Sequence, residues 1–288
     1  MTVRIGIGQW HAVPGGGAEN LDAALAVTAA LADRGCEVVV LPELWPSGYD
    51  PQRLAADVAG SAQPLDGPRG RALAAAARAR GVWLFAGSVP EAAGASVFNT
   101  APVYGPDGGL RAAHRKVHLY TALGEDLVFS AGDEATVVDA GPLGLVGLST
   151  CFDGDHFGYS RALRSRGARV VVSVSAYEVA AERWWELLHP AQALAHGQWW
   201  LMANQCGGTG PTALLGRSRV LAPDGAVVAE APRVLPDAPQ SPQLLVVDLD
   251  VAAALAGWDD TSSLLWTGGR EDLGAPASLS DDPPSGVL

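Results

Sequence analysis

The chain is poor in residue types whose scarcity excludes whole classes of protein. Its 288 residues contain three cysteines, Cys36, Cys151 and Cys206, which lie far apart and form no C-x-x-C pair. An odd number of widely spaced cysteines predicts a reducing, cytoplasmic environment rather than a disulfide scaffold. No apolar run reaches the roughly 18 residues of a membrane-spanning helix, so we expect no membrane partner.

Positive charge is also scarce. The chain has 19 Lys and Arg against 31 Asp and Glu, which gives a formal net charge of -12. No basic run offsets this excess, so nucleic acid is not an expected partner. Only one of the cations is a lysine, Lys116. Because arginine cannot replace the compact ammonium of lysine at a tight site, Lys116 is a candidate for a specific role.

The chain is instead rich in apolar residues, which make up 48% of it and recur in alternating strand and helix patterns. Strands are predicted over 3–9, 37–41, 82–88, 97–104, 109–114, 143–149, 169–175, 199–204, 217–221, 226–230 and 244–249, and helices over 20–34, 68–80, 160–166 and 182–197. These patterns predict one α/β domain over 1–267, with mixed sheets covered by helices. A Gly-, Pro-, Ser- and Asp-rich tail over 268–288 is expected to be extended or mobile.

Three reactive side chains follow predicted strands. Glu43 lies among apolar neighbours, where burial raises the pKa of a carboxyl group and suits it to act as a general base. The ammonium of Lys116 can stabilise an oxyanion. Cys151 enters a Gly-containing turn, which exposes a nucleophile and aims the next N–H at the oxyanion. Taken singly, each has a plainer interpretation: a surface glutamate, a solvated basic turn and a buried inert cysteine.

Together the three segments resemble the nitrilase superfamily of carbon–nitrogen hydrolases, in its amidase-like branch. Six motifs occur in the family's order: Leu41-Pro42-Glu43 with Gly48-Tyr49, Lys116-Val117-His118-Leu119, Glu125 seven residues before Gly132, Cys151-Phe152-Asp153, Ala203-Asn204 with Gly207, and Gly216-Arg217-Ser218 with Pro223-Asp224-Gly225. The resemblance spans residues 3 to about 249. It implies a four-layer α-β-β-α sandwich in a single domain, assembled into homodimers or larger homo-oligomers.

The resemblance also implies a set of catalytic residues. Cys151 would be the nucleophile, Glu43 the general base, and Lys116 with the Phe152 N–H the oxyanion stabilisers. Glu125 would orient Lys116 or Glu43 and contact the substrate amide. No metal and no organic cofactor is expected.

The substrate pocket is less well defined by the sequence. The substrate-binding candidates are Tyr49, Phe152, Asp155, His156 and Tyr177, with Trp45, Tyr120, Glu178 and Trp185 as further pocket candidates. Asp155 and Glu178 favour an amine-bearing substrate, whereas His156 favours a carboxylate, and the sequence leaves both open. The chain also departs from the family after the C-[YF]-D turn, at Asp155-His156 and Phe157-Gly158-Tyr159, and again at Ala195-His196.

The expected function is hydrolysis of a small amide or N-carbamoyl compound with release of ammonia or an amine. Nitrile hydrolysis or acyl transfer on the same scaffold stays open. Two further alternatives are a Cys–His protease that pairs Cys151 with His118 or His156, and a catalytically silent binding subunit.

Overall fold

The computed structural model describes residues 2–208, 212–234 and 241–251. Its helices are α1 Gly17–Ala32, α2 Leu54–Ser61, α3 Pro68–Arg80, α4 Phe157–Ser165 and α5 Glu182–His196. Its strands are β1 Val3–Gln9, β2 Val38–Val40, β3 Trp83–Phe85, β4 Val89–Ala93, β5 Ser96–Tyr104, β6 Leu110–Arg115, β7 Val137–Asp139, β8 Leu145–Thr150, β9 Val170–Ser175, β10 Trp199–Asn204, β11 Cys206–Gly207, β12 Leu214–Leu215, β13 Arg219–Leu221, β14 Val227–Glu230 and β15 Gln243–Leu249. Residues 252–267 and the expected tail over 268–288 lie outside the described residues.

Most of the strands form two large mixed sheets. The first runs in the order β15-β1-β2-β3-β5-β4, with β6 paired to β5, and the second runs β14-β13-β10-β9-β8-β7. The centres are parallel, β1-β2-β3 in the first sheet and β8-β9-β10 in the second. The outer strands, including both hairpins, pair antiparallel. Each parallel centre therefore presents a row of strand carboxyl ends, where α/β proteins place their sites.

Side chains that alternate along the strands divide the core into layers. In β2, Val38 and Val40 pack into the cluster between the two sheets, whereas Val39 points to the cluster beneath α1 and α3. In β10, Leu201 faces the same inter-sheet core and Trp200 faces the cluster beneath α4 and α5. At the parallel centre of each sheet both faces are thus buried, which explains the unbroken apolar runs there. The four-layer α-β-β-α fold expected from the sequence is confirmed.

Two glycines in β1 allow α1 to approach the first sheet. A Cβ added at Gly6 would lie 2.8 Å from a methyl carbon of Leu31, and one at Gly8 would lie 2.6 Å from Val27. Both distances are shorter than real carbon contacts, so a side chain here would push the helix away. The alternation of Gly with Val3, Ile5 and Ile7 therefore sets the spacing between the first two layers.

The ends of several elements differ from those predicted. The helix predicted from residue 20 begins at Gly17, and the side chain of Asn20 accepts from the Val13 N–H and donates to the Val13 carbonyl. It therefore fixes the preceding loop rather than the helix end. The sequence patterns also missed α2 and the strands β4 and β7. Within the described part of the chain, no helix has the length and apolar character needed to cross a membrane.

Candidate active site

The two rows of strand carboxyl ends meet at one place, and the predicted reactive residues lie there. Glu43 follows β2, Lys116 follows β6 and Cys151 follows β8 directly. The side chain of Gln205, just after β10, donates to the Glu43 carbonyl at 2.7 Å, which links the two sheets at this edge. The backbone N–H of Glu43 also points at the carbonyl of Ser175, at 3.4 Å.

Lys116 bridges two carboxylates. Its Nζ donates to Oε1 of Glu43 at 3.0 Å and to Oε1 of Glu125 at 2.8 Å. All three side chains are fully buried. Buried charges are stable only when they are paired and hydrogen-bonded, so this arrangement holds one ammonium between two acidic groups in the interior.

The remaining polar atoms of this cluster are mostly paired as well. The Tyr49 hydroxyl donates to Oε1 of Glu125 at 2.8 Å, and the backbone N–H of Tyr120 donates to Oε2 of Glu125 at 2.9 Å. The Asn99 amide donates to Oε1 of Glu43 at 2.8 Å. Oε2 of Glu43 is buried and has no hydrogen-bond partner among the described residues, so it can accept a proton.

Burial and charge set the protonation states of these groups. Burial raises the pKa of Glu43, an effect that the charge of Lys116 partly offsets. Burial alone would lower the pKa of Lys116, but Glu125 and Glu43 outweigh it and raise that pKa well above its ordinary value. Burial, aided by the charge of Glu43, raises the pKa of the Cys151 thiol well above its usual range. The resting site therefore holds a protonated lysine, a neutral thiol and a carboxyl group able to exchange a proton.

Cys151 lies on a strained turn. Its φ is 48°, in the left-handed region that residues with a Cβ seldom adopt, and Leu44, next to Glu43, has a φ of 42°. A 3₁₀ helix, Cys151–Asp155, starts at the cysteine. The chain therefore leaves β8 sharply at Cys151, as a nucleophile on a turn requires.

Asp153 ties this turn to the segment that carries Lys116. Its Oδ1 accepts from the backbone N–H groups of Val117 and His118, at 3.1 and 2.7 Å, and lies 3.0 Å from Nδ1 of His118. Its Oδ2 lies 2.9 Å from Nε2 of His114 and accepts from the Thr150 N–H at 3.2 Å. The carboxylate thus fixes the strand end before Cys151 against both sides of Lys116.

A pocket of about 350 Å³, partly open to solvent, gives access to Cys151. Four of the five predicted substrate-binding residues line it. Its described lining is Tyr49, Tyr120, Leu123, Cys151, Phe152, Asp155, Ala176, Tyr177, Glu178, Ala181 and Trp184. Asp155 is held by the Tyr177 hydroxyl at 2.5 Å and lies 3.3 Å from Nε2 of His189.

Three pocket candidates lie elsewhere. His156 is not among the lining residues; its ring stacks on His118, with the centroids 3.9 Å apart. The expectation of a carboxylate-binding His156 therefore finds no support in its position. Trp45 is buried in the core beneath α1, where its Nε1 donates to the Ala86 carbonyl, and Trp185 is buried beneath α5.

Sequence reasoning missed residues that reach the site from distant segments. Asn99 lies in β5, 56 positions from its partner Glu43. Its signal was a buried polar residue in an apolar strand, which needs a partner. Trp184 lines the pocket in place of its neighbour Trp185. Successive residues on a helix point about 100° apart, so the pair signals that one of the two faces the core, but not which one.

The comparison with protein families decides the class. A family model for carbon–nitrogen hydrolases matches residues 4–254. The chain belongs to the carbon–nitrogen hydrolase family. The resemblance read from the six motifs is confirmed, and so is the enzyme class, since the match covers nearly all of the predicted domain.

Several known proteins are similar to this chain. The omega-amidase NIT2-B of Xenopus laevis is 29% identical over 222 residues, which cover 74% of this chain and 79% of that protein. The 2-oxoglutaramate amidase of Paenarthrobacter nicotinovorans is 29% identical over 206 residues, which cover 68% of each. The solved structure of an amidase from Nesterenkonia sp. superposes with a TM-score of 0.75 at 29% identity, covering 93% of this chain and 96% of that one.

Proposed function

We propose that this carbon–nitrogen hydrolase cleaves the carbon–nitrogen bond of a small amide, with Cys151 as nucleophile and release of ammonia or an amine. The observation that carries the proposal is the buried cluster of Glu43, Lys116 and Glu125, joined by hydrogen bonds of 2.8–3.0 Å. Similarity to proteins named as amidases supports the amide over the nitrile.

The first half of the reaction forms a thioester. Glu43 takes the thiol proton while the sulfur of Cys151 attacks the amide carbon. The oxyanion is stabilised by the ammonium of Lys116 and the N–H of Phe152. Glu43 then gives its proton to the nitrogen, the carbon–nitrogen bond breaks, and the amine leaves.

The second half uses the same groups on water. Glu43 takes a proton from water, whose oxygen attacks the thioester carbon. The carbon–sulfur bond breaks, the carboxylic acid leaves, and the proton returns to the sulfur. Glu125 holds Lys116 in place and keeps it protonated throughout, because it adds a second negative charge beside the ammonium.

A Cys–His protease is less well supported. No histidine lines the described part of the pocket at Cys151. Nδ1 of His118 lies within hydrogen-bond distance of Asp153, and the imidazole rings of His118 and His156 stack on each other. These contacts hold the two histidines away from a role as base for Cys151. A carbon–nitrogen hydrolase with Glu43 as base uses the groups that the site brings together.

Ammonia release from a panel of small amides, N-carbamoyl amines and nitriles tests the proposal, with the wild type compared with Cys151→Ala. We expect release from an amide and none from the variant, because removing a nucleophile removes the covalent route. Cys36→Ala is the matched control, since this cysteine is buried in the core behind β1. Release that survives Cys151→Ala, or a panel with no substrate at all, would overturn the proposal.

Replacing Asn99 by leucine is expected to shift the acid limb of kcat/KM to higher pH by about one unit. The Asn99 amide favours the charged form of Glu43, so its loss raises the pKa of Glu43 further. The protonated Glu43 cannot take the thiol proton, so activity falls as the pH falls through this pKa. A pH profile of kcat/KM provides the measurement.

Thr100→Val is the control for Asn99→Leu. It deletes a neighbouring buried hydrogen bond, from Thr100 to Glu91, that does not involve Glu43. Its acid limb is expected to match that of the wild type. An acid limb that does not move in Asn99→Leu would argue against Glu43 as the general base.

A homo-oligomeric assembly and a cytoplasmic location stay predictions.

A further inference from the structure

The pocket at Cys151 is lined by acidic side chains and by no basic ones among its described residues. Asp155 and Glu178 line it, and no Lys, Arg or His lies among its described lining residues. A carboxylate substrate entering this pocket would lose water beside two acidic side chains and gain no counter-charge. The pocket therefore disfavours anionic amides.

Lys116 does not supply the missing positive charge. Its ammonium is fully buried, is not among the described lining residues and is already shared between Glu43 and Glu125. These three groups together carry an excess of one negative charge when both carboxyl groups are ionised. The interior next to the pocket thus adds to the negative potential instead of cancelling it.

One carboxyl oxygen of Glu178 accepts no hydrogen bond from the described residues. Its Oε1 is buried and has no hydrogen-bond partner among the described residues, and burial raises the pKa of the carboxyl group. Its backbone is held by a bridge to Leu214, and the preceding Tyr177 N–H donates to Asn204 at 2.7 Å. A buried acceptor on a fixed backbone costs free energy unless a ligand or a water molecule donates to it.

The other walls of the pocket suit a cation. Five aromatic side chains line it: Tyr49, Tyr120, Phe152, Tyr177 and Trp184. Aromatic faces attract ammonium groups, most strongly where water is excluded. Asp155 accepts from the Tyr177 hydroxyl and lies 3.3 Å from Nε2 of His189, and a carboxylate, with about four lone-pair sites, keeps positions for a further donor.

We propose that the substrate of this enzyme is an amide that also carries a protonated amine, whose ammonium binds between Glu178 and Asp155 while Cys151 attacks the amide carbon. This inference rests on the proposed function. It separates this chain from the similar protein named 2-oxoglutaramate amidase, since 2-oxoglutaramate carries a carboxylate. The sequence alone left the two substrate charges open, and the position of His156 outside the described lining favours the ammonium.

The test compares three amides that carry different end groups on the same three-methylene chain: γ-aminobutyramide with an ammonium, pentanamide with a methyl group, and glutaramate with a carboxylate. One-carbon-longer homologues of each are run in parallel. We expect kcat/KM for the ammonium amide to exceed that for the neutral amide by about ten- to hundredfold, the range of a charge-assisted hydrogen bond. Glutaramate is expected to be the poorest of the three.

Glu178→Gln is expected to lower the ratio of kcat/KM between the ammonium and neutral amides by about tenfold. Asp126→Asn removes the same charge from an exposed position outside the pocket lining and is expected to leave that ratio unchanged. Cys151-dependent hydrolysis without a preference for the ammonium amide, or a preference that survives Glu178→Gln, would overturn the inference alone. Failure of every amide would overturn the proposed function with it.

Discussion

Replacing Lys116 by methionine is expected to abolish measurable amide hydrolysis and to lower the free energy of unfolding by about 3–5 kcal/mol. The variant leaves the fully buried Glu43 and Glu125 without the cation that both of them bind. One of the two must then take up a proton, which removes either the base or the group that orients the site. The oxyanion also loses its ammonium, a change that typically costs about 10²–10³ in kcat on its own.

The double variant Lys116→Met with Glu125→Gln separates the two effects. It removes one of the two buried carboxylates, so we expect part of the lost stability to return while activity stays absent. Ammonia release and chemical denaturation at neutral pH give the two readouts. A single variant that unfolds as the wild type does, or one that retains hydrolysis, contradicts a buried Lys116 with a catalytic role. Lys116→Arg is expected to remain inactive too, because the space between the two carboxylates fits a compact ammonium and not a planar guanidinium group.

The sequence predicted the positions of the reactive groups better than the walls of the pocket around them. Glu43, Lys116 and Cys151 stood out because each follows a predicted strand, and strand ends are local features of a sequence. The structure places Glu43 and Lys116 in direct contact, 3.0 Å apart. The pairing of Asn99, in β5, with Glu43, which follows β2, brings together residues that are distant in the sequence, so no local pattern predicts it.

The position of His156 illustrates why the walls of the pocket are hard to predict from the sequence. The residues after Cys151 form a 3₁₀ helix, in which residues three apart lie on the same side. Phe152 and Asp155 therefore both line the pocket, while His156 turns away onto His118. If the same segment is interpreted as an irregular turn, Asp155 and His156 are equally good candidates for the pocket lining.

The short strand β4 was missed because it contains Pro90, and a proline argues against a strand unless the strand lies at a sheet edge.

Replacing Asp153 by asparagine is expected to lower kcat by about 10²-fold and the free energy of unfolding by about 2–4 kcal/mol. Asp153 acts through Cys151 and Lys116, since it bonds the Thr150 N–H before the cysteine and the Val117 N–H after the lysine. In the asparagine variant an NH2 group replaces one carboxylate oxygen. Its N–H groups would face backbone N–H donors that now donate to Asp153, so those hydrogen bonds would be lost. The displaced turn would then misplace the sulfur relative to the ammonium.

Acid stability gives a second readout for Asp153. Burial would raise its pKa, but hydrogen bonds from His114 and His118 outweigh it and hold the pKa well below the usual 3.8. An acid whose pKa is depressed in the folded state adds stability above its unfolded pKa and loses that contribution as the pH falls below about 4. Denaturation from pH 7 to pH 3 should therefore show a smaller acid loss in Asp153→Asn than in the wild type.

Asp57→Asn distinguishes positioning from a general loss of stability. Asp57 is also a buried aspartate, but it lies in α2, where its side-chain ion pair is with Arg53, the residue just before that helix. We expect this control to lose stability without a comparable loss of kcat, measured at a temperature where both variants are folded. Equal kcat losses in the two variants would reduce Asp153 to a structural residue. A loss confined to Asp153→Asn, with KM little changed, supports the view that its carboxylate sets the distance between nucleophile and cation.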